Sequence, residues 1–145
     1  MAEPRNVWNV GAELGEGPVW VERDRALWFT DIKTQKVHRY DPATGDRKSW
    51  DSPEQVGFAL PAEGGGFIAG LQSGLHKFDE AKGRFTLIAE MEPERPNNRL
   101  NDGVVDPSGR LWFGTMDNGE RNKSGAFYRF ERGAVVRTGL EGIAI

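Results

Sequence analysis

Short runs of Val, Ile, Leu, Phe and Trp recur along this chain, and Gly, Pro, Asn or Asp interrupts them about every ten residues. The runs include Val7-Trp8-Asn9-Val10, Gly17-Pro18-Val19-Trp20-Val21, Ala26-Leu27-Trp28-Phe29-Thr30, Lys36-Val37-His38-Arg39-Tyr40 and Arg47-Lys48-Ser49-Trp50. Their period is closer to two than to 3.6, and no segment sustains the apolar stripe of an amphipathic helix. The pattern predicts an all-β chain of short antiparallel strands with essentially no long helix.

The pattern also repeats. Leu27-Trp28-Phe29-Thr30, Phe67-Ile68-Ala69-Gly70 and Leu111-Trp112-Phe113-Gly114 are equivalent apolar strands about forty residues apart, the period of a four-stranded propeller blade. Each is followed by a matching piece: Val37-His38-Arg39-Tyr40, Leu75-His76-Lys77-Phe78 and Phe127-Tyr128-Arg129-Phe130. The turns Asp41 to Gly45 and Asp79 to Gly83 follow the first two of these pieces, with Asp to cap and Gly to supply positive φ. The third unit carries an insertion from Met116 to Ser124 that reads as a loop. Blade units fall at about 14–51, 55–90 and 98–138, and 141–145 reads as the start of a fourth blade. Val7 to Val10 reads as the outer strand of another incomplete blade. A closed propeller needs at least four blades. Three blades standing alone expose strand edges and apolar faces, which invites association.

Composition narrows the partners. The formal net charge is −3 with acids and bases interspersed, whereas nucleic-acid binding calls for a concentrated basic patch. No apolar run is long enough to span a membrane, and the N-terminal residues lack a signal-peptide core. The expectation is a soluble, cytoplasmic protein without nucleic acid or membrane as partner. Cys is absent, which excludes disulfides and thiolate metal sites.

The densest polar stretch is Asn97-Asn98-Arg99-Leu100-Asn101-Asp102-Gly103. Strand alternation puts Arg99 and Asn101 on one face. A guanidinium beside an amide can hold a polyhydroxylated or carbonyl-bearing small molecule. The same residues also make an ordinary turn. His38 and His76 occupy equivalent repeat positions, which predicts a shared structural role on a blade surface. Asp31, Asp102 and Asp106 fall at strand ends or turns and read as caps, with Asp102 also placed to brace Asn101. No Gly-x-Ser-x-Gly elbow is present, so covalent serine chemistry is not expected.

Leu14-Gly15-Glu16-Gly17-Pro18-Val19-Trp20, Leu27 to Ile32, Asn98 to Gly103, Asp106-Pro107-Ser108-Gly109-Arg110 and Gly114-Thr115-Met116 together resemble the SMP-30/gluconolactonase/LRE-like family of regucalcins and bacterial sugar lactonases. The resemblance runs from about Val7 onward. It implies a six-bladed propeller of which this chain forms the N-terminal half. It also implies metal-dependent hydrolysis of a sugar lactone to the aldonic acid. One divalent ion (Ca, Zn, Mn, Mg or Fe) is implied, with Glu16 as a ligand and the remaining ligands, including the general-base Asp, outside this sequence. Arg99 and Asn101 match the family's substrate-contacting pair, and Glu120 is a further substrate-binding candidate. A homodimer that completes the ring is an expected partner. The competing reading is a non-catalytic half-propeller that self-associates as a scaffold or weak binding module.

Overall fold

The computed structural model describes residues 2–145, and within them twelve strands form three four-stranded antiparallel sheets. The first contains β1 (Gly15–Val21), β2 (Ala26–Asp31), β3 (Lys36–Tyr40) and β4 (Arg47–Asp51). The second contains β5 (Val56–Pro61), β6 (Phe67–Leu71), β7 (Gly74–Asp79) and β8 (Arg84–Glu90). The third contains β9 (Asn98–Val105), β10 (Leu111–Asp117), β11 (Gly125–Glu131) and β12 (Ala134–Ile143). Each sheet is a simple meander in chain order. The only helical element among the described residues is a single 3₁₀ turn, Glu22–Asp24.

Alternation along the second strand of each sheet sets the stacking. Ala26 and Trp28 of the first sheet face the second, where Val56, Phe67, Ala69 and Phe78 complete one buried cluster. Trp28 lies 4.2 Å from Phe67 between ring centroids and stacks on Trp50 at 5.0 Å. A second cluster, built on Phe58, Leu75, Leu100, Leu111, Phe113 and Tyr128, joins the second sheet to the third. Burying each of these large side chains contributes about 1.5–3 kcal/mol, so the sheets are held face to face as propeller blades are. Short turns cap the far ends: Asp41 Oδ1 accepts from Ala43 N and Thr44 N, and Gly45 takes φ 76°.

Three expectations change. Residues 7–10 form no strand, because no neighbouring strand offers hydrogen bonds there. Instead Trp8 packs edge-on against Phe29 and His38, and Arg47 Nη2 donates to the Val7 carbonyl at 2.5 Å. At the other end, β12 runs on to Ile143, which pairs with Gly125. The segment read as opening a fourth blade at 141–145 therefore finishes the third sheet through Ile143. His38 and His76 are buried rather than set on a blade surface. Trp8 covers His38, and β7 carries His76 into the interior, where its Nδ1 lies 3.1 Å from Gly74 O.

Candidate functional site

The first strand of each sheet, β1, β5 and β9, is the inner strand of the stack; all three begin at the same end of the molecule, and each carries a bulge within its first few residues. Gly17 and Pro18 stand opposite Phe29, Gly57 is the extra residue between the pairs Val56–Leu71 and Phe58–Gly70, and Asn101 and Asp102 stand opposite Gly114. Bulges re-aim side chains and often border active sites. Here they bring three backbones together. Thr30 Oγ1 donates to Gly57 O at 3.2 Å, and a Cβ on Gly57 would lie only 2.2 Å from Asn101 O. The β2–β3 turn and the β10–β11 loop reach the same end of the stack, since each follows a strand that returns from the opposite end.

Arg99 is the centre of the polar cluster at this end. It is buried, and its Nη1 donates to Asn101 Oδ1 at 3.0 Å and to Leu100 O at 3.2 Å, while Nε donates to Asn118 Oδ1 at 3.0 Å. Burial pulls the guanidinium below its ordinary range, and the carboxylates of Glu120 and Glu16 act in the opposite direction. Of the four sequence-picked residues, Arg99 and Asn101 are in direct contact, and the carboxylates of Glu16 and Glu120 act on Arg99 through charge, without a hydrogen bond or ion pair to it. Because Arg99 takes the amide oxygen of Asn101, the Asn101 Nδ2 hydrogens remain available to a ligand, as do those of Arg99 Nη2. The cluster is thus rich in donors and carries two carboxylates at its edge.

Lys33 and Asn118 belong to this cluster and are absent from the sequence-based candidates. Lys33 Nζ donates to the same Asn118 Oδ1 at 2.9 Å, and Asn118 N donates to Asn97 O at 2.9 Å. Lys33 lies in the β2–β3 turn and Asn118 in the loop read as an insertion. The signal that could have found them is topological: in a meander, both connections return to the end where β1 and β9 begin.

Glu16 is exposed near the start of β1, and its carboxylate makes no hydrogen bond or ion pair among the described residues. A free carboxylate suits a hard divalent cation. No group of three or more His, Cys, Asp or Glu is placed to hold a metal among the described residues. Among the described residues Glu16 is thus a single oxygen donor of suitable chemistry, not part of a group of three. Glu120 is exposed with φ 56°, and its amide donates to Asp117 O at 2.9 Å.

The aspartates serve the backbone. Asp31 accepts from Glu13 N and Leu14 N at 3.0 Å, tying the N-terminal approach to β2. Asp106 is held well below the usual carboxylate range by Trp112 Nε1 and by the Arg110 and Ser108 groups around it. Asp102 Oδ1 accepts from Gly103 N at 2.8 Å, so Arg99 rather than Asp102 braces Asn101. Beneath β9, the buried Glu92 accepts from Tyr128 OH at 2.7 Å, Thr115 Oγ1 at 3.1 Å and Asn98 Nδ2 at 2.7 Å. This network fixes the residue immediately before Arg99.

A family model described as the SMP-30/Gluconolactonase/LRE-like region matches residues 14–145. The chain is 40% identical to the 6-deoxy-6-sulfogluconolactonase of Pseudomonas putida over 103 residues, 71% of this chain and 35% of that protein. It is 39% identical to the L-arabinolactonase of Azospirillum brasilense over 132 residues, 89% of this chain and 42% of that protein. Among solved structures, a calcium-binding protein, regucalcin, from Agrobacterium tumefaciens superposes with TM-score 0.87 at 30% identity, covering 92% of this chain and 45% of that one. The chain spans less than half the length of each of these relatives.

Proposed function

This chain belongs to the SMP-30/gluconolactonase/LRE-like family, and from that premise we propose that it forms half of a metal-dependent sugar lactonase site. The observation that carries the reading is the contact of Arg99 with Asn101 on β9, within electrostatic reach of Glu16 and Glu120. The matched lactonases, named for sugar lactones, support the reaction class.

In this reading the Arg99 Nη2 and Asn101 Nδ2 hydrogens donate to the oxygens of a sugar lactone, and Glu120 accepts from a ring hydroxyl. A water adds to the lactone carbonyl, the ring C–O bond breaks, and the departing ring oxygen takes up a proton to give the hydroxy acid. Negative charge grows on the carbonyl oxygen during the addition. A fixed guanidinium stabilises it with little reorganisation, because Nε and Nη1 are already held by Asn118, Leu100 and Asn101. Glu16 would hold a divalent ion, which when bound polarises a carbonyl and activates water. The test is acid release from D-glucono-δ-lactone above the spontaneous rate, with Mn²⁺ and after chelation. Turnover that chelation abolishes and Arg99→Ala lowers at least tenfold is expected; no turnover, or turnover indifferent to both, contradicts the reading.

A second reading rests on a different observation. Val104, Trp112, Phe127 and Val136 share the outer face of the third sheet by strand register, and Val104 is 62% exposed. On the opposite end of the stack, Trp20, Leu27 and Phe29 line the outer face of the first sheet, with Trp8 against Phe29. Two copies about a twofold axis would cover both faces and place Glu16, Arg99 and Asn101 twice around one channel.

A further inference from the structure

We infer that Lys33 is an anion-binding arm of this site, and that the ligand it serves is a polyhydroxylated acid rather than a neutral sugar. The inference takes from the lactonase reading only that the ligand is a sugar derivative. Lys33 and Arg99, 66 residues apart in sequence, both donate to the single oxygen Asn118 Oδ1, at 2.9 and 3.0 Å. Two cations so close repel each other, and one neutral amide oxygen answers that repulsion only weakly.

Their surroundings differ. Arg99 has the carboxylates of Glu120 and Glu16 near enough to act on it. Lys33 forms no ion pair among the described residues, whereas Lys36, Lys48 and Lys82 are each paired with an aspartate. An ammonium has three donors, and Asn118 uses one. Two donors and a positive charge without an ion pair therefore remain on a half-buried lysine that shares its acceptor with the central arginine of the site. A carboxylate, sulfonate or phosphate group meets that need with charge-assisted hydrogen bonds; a hydroxyl does not. The acid could be the carboxylate released when a lactone opens, or an acidic substituent elsewhere on the sugar.

Calorimetric titration of the full chain at low ionic strength, where charges act over about 10 Å or more, separates these sources. The probes are glucitol, gluconate and glucitol 6-phosphate. At least one acid is expected to bind about tenfold more tightly than glucitol, equivalent to about 1.4 kcal/mol. Preference for gluconate identifies the product carboxylate, and preference for the phosphate identifies an acidic substituent. Lys33→Met is expected to erase the preference and Lys33→Arg to retain it. Equal binding of all three polyols, binding of none, or a preference that survives Lys33→Met would overturn the inference. Lactone turnover measured in parallel keeps the two readings apart. Turnover without charge preference removes only the role of Lys33, and charge preference without turnover supports that role while removing the lactonase reading.

Discussion

The carboxylate of Glu92 sits between the second and third sheets with its side chain 4% exposed, and three side-chain donors converge on it. Burial, and the hydrogen bond to Glu92, hold the Tyr128 phenol above its ordinary range. Tyr128→Phe removes one charge-assisted hydrogen bond, so urea denaturation is expected to show a loss of about 1.5–3 kcal/mol with an unchanged slope. An unaltered midpoint would refute the role given to this network. His38 offers a second test at the same scale. Burial lowers its pKa from the ordinary 6.5, Asp31 partly offsets this, and Nδ1 lies 2.7 Å from Ser49 Oγ while Nε2 is buried without a partner. As pH falls through 6.5 the unfolded chain takes up a proton that the native state resists, so stability drops; above that value the group contributes no pH dependence. The fall in Tm from about pH 7.5 to about pH 5.5 is expected to be smaller in His38→Gln. A parallel fall in both proteins would contradict it. Arg99 and Asn101 could be picked from the sequence because two residues apart on a strand share a face. Alternation could not point to Glu92, Lys33 or Asn118, whose partners lie 6 to 85 positions away; for Lys33 and Asn118 only the order of strands in stacked meanders is a guide.

At the scale of elements, the bulges at the starts of β1, β5 and β9 allow three inner strands to meet backbone to backbone. Gly57 is the tightest point, because a Cβ there would strike Asn101 O and Leu100 O. Gly57→Ala must push β9 away, and with it the strand carrying Arg99 and Asn101. A loss of about 1–3 kcal/mol is expected from overpacking, together with shifted amide resonances at 99–101; a stable variant with unmoved resonances would contradict it. Phe58 sets a similar limit, since a Cβ on Gly70 would lie 2.2 Å from its ring. The strands and their forty-residue spacing were legible because alternation and turn residues are local signals. The bulges were not, because one extra residue in a strand leaves no mark in an alternation already broken by Gly and Pro. Residues 7–10 had the composition of a strand but lack the pairing partner that a strand requires, and β12 extends to Ile143 because β11 offers it one.

At the scale of the whole molecule, three stacked sheets leave two outer faces. The third sheet presents Val104, Phe127 and Val136 at 62%, 40% and 39% exposure, an apolar face of the kind that marks an interaction surface. Light scattering is expected to give the mass of a dimer, and Phe127→Lys, which places a charge in the middle of that face, is expected to shift it toward the monomer. A wild-type monomer at high concentration would remove the ring-closure reading. The central claim, that Glu16, Arg99, Asn101 and Glu120 form one metal-binding and lactone-binding end, is tested most directly by paramagnetic broadening of amide resonances on titration with Mn²⁺. Broadening is expected to be confined to residues near Glu16, Arg99 to Asn101 and Asn118 to Glu120, and to be lost in Glu16→Gln. Broadening centred on the distant turns at Asp41 to Asp46, or broadening that persists in Glu16→Gln, would contradict it.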